Sequence, residues 1–346
     1  MSEEGGEIAH RHGSSPAAPA SLPDGDDLLR EILLRLLPEP SSLPRASAVC
    51  KRSRRLVTDP KFLQRFRTRH GKKPPLLSVF RCLDNFVFIP ILDPPDRISP
   101  ECFSLHSANQ VLRCRHGRVL VKCRLRKEAV VCEPISGEQR CVTISPEFNM
   151  GFFNGTVVCA AGDLGHVHGG CHSSPFKVVL VCMCREDNRA LACVYSSETG
   201  IWGNVISTAA PCELWDMGAP ATLVGNALYW LYMSNGMLEF DLDEQSLSVI
   251  TGPPITDDFR RRQIIQVEDG DVGLVTLSYP SFQMWERKVN CHGVATWFVR
   301  KTVGIHNILG LPSQLEEWER GMESILGYTE DTDAIFIHVD SNVYMA

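Results

Sequence analysis

The chain has 346 residues, 44% hydrophobic and 22% charged, which is ordinary for a globular protein able to bury one large core or two modest ones. A formal net charge of −6 excludes a protein whose whole surface binds nucleic acid. No run approaches the ~20 apolar residues that a membrane-crossing helix needs.

Residues 1–20 are rich in Gly, Ser, Ala and Pro, carry Glu3, Glu4 and Glu7, and lack an apolar centre. They read as a disordered leader and not as a signal peptide. The 14 cysteines then belong in a reducing compartment, cytoplasmic or nuclear, as small buried hydrophobes and not as disulfides. Cys132, Cys159, Cys182 and Cys193 sit inside apolar runs, as that reading requires.

A helical module is expected over residues 21–71. Asp24 is placed to cap a first helix, and Asp26 and Asp27 put negative charge at its N-terminus, where the helix dipole favours it. Leu28, Leu29, Ile32, Leu33, Leu36 and Leu37 form a wide apolar stripe, and Pro38 and Pro40 stop the helix. A second helix starts at Ser41-Ser42, tolerates Pro44 in its first turn, and takes a short apolar face from Leu43, Ala46 and Val49. A third begins at Asp59-Pro60, presents Phe62, Leu63 and Phe66 to a core, and ends near His70-Gly71.

Three short helices make a marginal domain, and the first stripe is wider than two short partners can cover. A surplus apolar face on a small bundle marks a protein interface or a packing surface for the rest of the chain. Pattern alone does not separate these. From Arg45 to Lys73 the segment is strongly basic, with Asp59 its only acid. Nucleic-acid binding is one reading, but no aromatic stacking platform accompanies the charges, and a solvated rim around an interface accounts for them as well.

The ordered string Leu22-Pro23, Leu28-Leu29-Arg30-Glu31-Ile32-Leu33, Leu43-Pro44-Arg45-Ala46, Val49-Cys50-Lys51-Arg52 and Leu56 to Phe62 resembles the F-box family. The resemblance implies docking onto the Skp-type adaptor of a cullin–RING ubiquitin ligase through apolar helix positions. Carried onto this chain, those positions are Leu22, Pro23, Leu28, Leu29, Ile32, Leu33, Leu36, Leu43, Val49 and Cys50. Some of them must serve as internal core. Ser53 departs from the family, which usually carries an aromatic there.

From about Pro74 the texture changes to short β-branched and aromatic runs broken by Gly, Pro, Asn and Asp, which predicts an all-β domain over residues 76–346. Expected strands include Leu76–Phe80, Phe86–Ile89, Arg118–Cys123, Ala129–Cys132, Thr156–Ala160, Lys177–Cys184, Ala190–Tyr195, Ile201–Ile206, Ala227–Leu231, Met237–Phe240, Ser246–Ile250, Val272–Leu277 and Thr296–Arg300. The one later helix expected lies around Ser313–Arg320.

Weak repeats run through this part. Val131 to Glu138, Val194 to Ile201 and Phe240 to Leu247 each read as strand, polar turn and strand. His116-Gly117, Asn154-Gly155 and Gly225-Asn226 each place a turn glycine before an apolar strand. Repeated small antiparallel sheets suggest a β-propeller, for which about six blades fit the length; a β-sandwich is the alternative. Tyr195 to Trp202, Val224 to Leu231 and Leu238 to Asp243 resemble the F-box-associated, kelch-like domains of plant, especially grass, F-box proteins.

Candidate chemistry is sparse. His166, His168, Cys171 and His172 have zinc-ligating side chains in a Gly-rich loop, but no second ligand pair accompanies them, and a solvent-exposed loop is the favoured reading. Cys171-His172 lacks the orienting group of a thiol nucleophile. No phosphate loop, dinucleotide fingerprint or kinase signature is present.

The expected molecule is therefore α+β and multidomain: a small all-α F-box three-helix module followed by an all-β, propeller-like domain. It is a non-catalytic receptor with no cofactor or metal and no nucleic-acid or membrane partner. Its partners are a Skp-type adaptor and a target protein. A scaffold with a degenerate F-box and a propeller enzyme with a polar funnel are the competing classes.

Overall fold

The computed structural model describes residues 25–71, 75–82, 86–99, 109–123, 125–126, 128–134, 136–148, 153–161, 171, 174–184, 186–209, 220–231, 236–255, 261–268, 270–278, 281–310, 324–339 and 342–346. The chain divides into two compact units, 1–72 and 73–346. The leader, Asp24 and the helix expected around Ser313–Arg320 lie outside the described residues.

Among its described residues the first unit holds four helices where three are expected: α1 (Gly25–Leu34), α2 (Ser42–Val49), α3 (Lys51–Val57) and α4 (Pro60–His70). The extra boundary is made by Cys50. Its backbone is extended (φ −159°, ψ 165°), and its thiol accepts the Ser53 N–H at 3.4 Å, so the thiol caps a new helix. At α4, Asp59 accepts the Lys61 N–H at 3.0 Å and Pro60 opens the helix, as its sequence requires. α1 ends at Leu34, three residues earlier than its apolar stripe, through tightened turns from Arg35 N–H to Ile32 and from Leu36 N–H to Leu33. His70 then meets the free Leu34 carbonyl at 2.8 Å, tying the end of α4 to the end of α1.

Leu33, Leu34, Leu56, Val57, Phe62 and Phe66 form the core of this unit, with Leu29, Leu36, Leu43 and Ala46 packed around it. Ser53 is also buried, only 5% exposed, and is within hydrogen-bond distance of the Cys50 thiol.

The second unit opens with a hairpin, β1 (Ser78–Cys82) and β2 (Phe86–Pro90). Five antiparallel sheets follow among the described residues, each with its strands paired in chain order apart from one extra short strand in the second. The first is β3 (Asn109–Arg115), β4 (Arg118–Cys123), β5 (Glu128–Cys132) and β6 (Gln139–Thr143); the second is β7 (Phe153–Cys159), β8 (Phe176–Met183), β9 (Ala190–Ser196), β10 (Ile201–Trp202) and β11 (Ile206–Ser207). The third is β12 (Thr222–Val224), β13 (Ala227–Leu231), β14 (Gly236–Asp241) and β15 (Ser246–Thr251); the fourth is β16 (Arg262–Gln266), β17 (Val272–Ser278), β18 (Ser281–Val289) and β19 (Ala295–Gly304), after which comes a short helix α5 (Ile305–Leu309). The last is β20 (Ser324–Thr329), β21 (Ala334–Val339) and β22 (Asn342–Met345), three strands among the described residues.

This is a β-propeller of five blades, not six. Long connections between sheets consume the length that the sixth blade would need, and β1–β2 is a separate hairpin. Blade faces alternate with apolar cores. One joins blades one and two (Leu120, Phe148, Phe153, Leu180, Cys193), and another joins two and three (Val179, Trp230, Leu238, Phe240). The next joins three and four (Tyr229, Met237, Ile264, Leu274), and a fourth joins four and five (Val275, Phe282, Tyr328, Ile337). On the remaining face of the first blade, Val119 and Val121 pack with Phe80 of the leading hairpin.

The repeated strand–turn–strand motifs all fall on the outer hairpins β5–β6, β9–β10 and β14–β15, where Gly137, Gly200 and Gln245 adopt φ of 76°, 73° and 48°. Gly117 and Gly225 sit in inner hairpin turns at φ 77° and 59°, which glycine adopts without strain. Gly155 is different. It lies inside β7, and a Cβ there would come within 2.6 Å of Leu180 Cδ2 and 2.9 Å of the Val179 carbonyl. Its glycine permits close approach of strands and makes no turn.

Candidate adaptor-docking site

The apolar stripe of α1 divides into two faces. Leu33 and Leu34 point into the four-helix core, while Leu28 and Ile32, four residues apart on one side of the helix, are 57% and 54% exposed. Leu29, Leu36 and Leu43 are half-buried at the edge of the core. Val49, 78% exposed, and Cys50 stand out at the α2–α3 junction. Of the expected docking positions, Leu33 therefore belongs to the internal core, because the bundle needs it to cover Phe62 and Phe66. Leu22 and Pro23 lie outside the described residues. Leu34, which the sequence reading passed over, is 3% exposed. Its signal was its place beside Leu33, since two adjacent residues can both face a core that surrounds a helix on two sides.

Charge frames this face. Asp26 bridges α1 to α3, accepting from Arg52 and, at 2.8 Å, from Arg55. The hydrogen bond from Arg52 holds the Asp26 carboxyl below its ordinary value. Glu31 reaches Arg35 at 3.2 Å and Arg69 at 3.5 Å. Within the basic run, Arg52, Arg55 and Arg69 are thus engaged in exposed ion pairs within the bundle, which contribute little each but tie its helices together.

Polar groups also converge at the axis of the propeller. Glu330, in the β20–β21 turn, accepts from Arg113 at 2.9 Å and from Arg115 at 2.6 and 2.5 Å, both on β3, and from the Leu223 N–H at 2.7 Å on β12. Arg115 also donates to Thr156 at 2.5 Å on β7 and to the Ala221 carbonyl at 3.2 Å. Thr222 and Gln263 carry the chain of bonds from β12 to β16. One carboxylate and two guanidiniums thus hold the last blade to the first and reach toward the second and third. Burial alone would raise the Glu330 carboxyl, but Arg115 and Arg113 bring it down to about 2. Such a carboxylate is a weak base, and Arg115 already has protein partners on all three of its nitrogens.

Outer strands are joined by a device that the sequence did not reveal. The Trp202 indole on β10 donates to the Thr143 carbonyl at the end of β6, at 2.7 Å. The Trp297 indole on β19 donates to the Thr251 carbonyl at the end of β15, at 2.9 Å. In both cases a tryptophan of one blade reaches back to the outer strand of the preceding one. Among the aromatic residues of the propeller, Trp230 and Tyr229 are buried in blade cores, Trp202 and Trp285 pack against such cores, and Trp215 and Tyr232 lie outside the described residues.

No group of metal-ligating side chains occurs among the described residues. His166, His168 and His172 fall outside them, and Cys171 is buried with its carbonyl accepting from Arg118. Cys182 and Cys193 lie together in the core between the first two blades, as strand alternation requires. Among the described residues no helix is long and apolar enough to cross a membrane.

A small helical bundle with an uncovered apolar edge, followed by a five-bladed propeller, defines an F-box protein with a C-terminal β-propeller. An F-box domain profile matches residues 25–65. The chain belongs to the family described as "F-box protein AT5G49610-like, beta-propeller", whose profile matches residues 110–345. No curated protein matches the chain. Solved structures that resemble it include BBS1N in complex with ARL6DN (10% identity, 77% of this chain and 73% of that one, TM-score 0.36). KlHsv2 with loop 6CD replaced by a Gly-Ser linker (9%, 68% and 69%, TM-score 0.37) and the Dos1 propeller (12%, 66% and 64%, TM-score 0.35) are others. At these TM-scores the likenesses carry no weight for function.

Proposed function

We propose that this protein is the substrate receptor of a Skp–cullin–F-box ubiquitin ligase. The helical unit docks on a Skp-type adaptor, and the propeller holds a target protein. The observation behind the reading is the exposure of Leu28 and Ile32 on a bundle whose core is already complete without them. Val49 and Cys50, with the half-buried Leu29, Leu36 and Leu43, extend the same contact, and Leu22 and Pro23 are assigned to it on the family resemblance alone. The receptor contributes proximity and no chemistry: it raises the effective concentration of a target lysine beside the conjugating enzyme. It works in the cytoplasm or nucleus, without a cofactor. The kelch-like, grass-type resemblance of Tyr195 to Trp202 belongs to the same reading.

Co-purification of the full chain with purified adaptor tests this, comparing wild type with Leu28→Asp plus Ile32→Asp. Both side chains are more than half exposed, so the double variant keeps its fold. Losing two apolar contacts and burying two carboxylates weakens docking by about 3 kcal/mol, roughly 100-fold or more. Unchanged binding by the double variant refutes the assignment. Ser53 motivates a second reading, a scaffold with a degenerate F-box, because a small hydroxyl fills the buried site where the family usually places an aromatic. Failure of the wild type to form a stable adaptor complex favours that scaffold.

A further inference from the structure

The fourth blade carries an outer strand unlike the others. β19 is ten residues long, whereas the outer strands β6, β15 and β22 have five, six and four, and β10 has two. It pairs only with β18, so among the described residues its other backbone edge has no strand partner. A row of unpaired N–H and C=O groups of that length is a template for a further strand.

Side chains on this hairpin are unusual for the domain. Residues 74–346 hold 21 Lys and Arg against 32 Asp and Glu. Yet residues 281–304 contain Arg287, Lys288, Arg300 and Lys301 against the single acid Glu286. Glu286 is buried and engaged with Arg300 at 3.1 Å and Lys288 at 3.1 Å. Lys301 is exposed.

Register sorts the two faces. A bulge between Met284 and Trp285 places Lys301 opposite Met284, on the same face as Phe298 opposite Glu286; Lys288 lies over the Phe298 ring at 5.5 Å. That face is cationic. The other carries Trp297, paired across the hairpin with Arg287, and Val299, 42% exposed opposite Trp285. An incoming strand that matches both faces alternates acidic and apolar residues.

We infer that β19 captures an extended acidic segment of a partner polypeptide by strand addition, with carboxylates on the side of Lys288 and Lys301 and apolar residues on the side of Val299. This deepens the receptor reading by giving the chemistry of the client. It is read on the full chain without adaptor, so its failure and failure of adaptor docking are separate results.

The experiment is fluorescence anisotropy with four labelled peptides: Asp-Val-Glu-Val-Asp-Val-Glu, its Lys counterpart, and the acidic peptide N-methylated at every second residue in each of the two possible phases. Expected is saturable binding of the acidic peptide alone, weakened at least 10-fold by Lys301→Glu, retained by Lys301→Arg, and lost with N-methylation in one phase only. Thermal melting of each variant verifies its fold. No saturable binding of the acidic peptide at 1 mM, equal binding of the Lys peptide, or indifference to N-methylation in both phases each overturns the inference (the concentration ceiling being about the weakest affinity of interest, ~4 kcal/mol of binding).

Discussion

Replacing Glu330 with Gln tests how the propeller closes. The substitution keeps side-chain shape and one carbonyl acceptor but removes the charge shared by Arg113 and Arg115. Those guanidiniums are only 10% and 1% exposed, so they are left facing each other with little water. Depression of the Glu330 carboxyl from 4.5 to about 2 corresponds to about 3 kcal/mol of folding stability. Removing one partner of a buried pair costs about 3–5 kcal/mol, which agrees. For a unit of this size the melting temperature should fall by roughly 6–15 °C, read by calorimetry on the full chain at pH 7. The sign of the pH dependence follows. Because the folded carboxyl titrates below its unfolded value, its stabilisation is present above about 4.5 and is lost as pH falls from there toward about 2. Wild type should therefore lose stability in that window more steeply than Glu330→Gln. As a control, Glu268→Gln should shift the melt by less than about 2 °C, since Glu268 is 85% exposed. Equal melting of wild type and Glu330→Gln would refute the clasp.

Three further outcomes are expected. Phe62→Ala, at the centre of the helical core, should cost about 3–5 kcal/mol and melt that unit while the propeller transition stays put, measured by calorimetry. Gly155→Ala should destabilise the propeller by about 1–3 kcal/mol, because its methyl group meets Leu180 and the Val179 carbonyl; denaturant titration reads this. Burial pushes the Cys182 thiol up to about 12, so at pH 8 Cys182 should resist a thiol reagent in the native protein while the exposed Cys50 and Cys141 react, as mass spectrometry of labelled peptides would report.

The helical unit was largely legible in the sequence. Caps and breakers such as Asp59-Pro60 act through neighbouring atoms, and the apolar spacing of α1 follows from helix geometry. Where that reading went astray, the cause was a side chain meeting a distant one. Leu33 joined the core because α3 and α4 bring Leu56 and Phe62 to it, and Cys50 split a helix because its thiol was free to accept an N–H. The α+β multidomain class and the propeller architecture were likewise legible, since alternation and turn glycines mark hairpins locally. Strands such as β3, β12, β16 and β20, together with α5, were not picked out, because inner strands carry arginine, threonine and glutamine that resemble loop.

What the amino-acid order determined by itself was local: where helices begin, where hairpins turn, and which runs prefer burial. What only the tertiary structure decided was closure. Five blades rather than six, the glycine of β7 as a contact and not a turn, and the joining of Arg113, Arg115 and Glu330 across more than two hundred residues all depend on which strands meet at the axis. A charge in sequence has no sign of its partner; the ring supplies one by bringing the strand ends together where water is excluded.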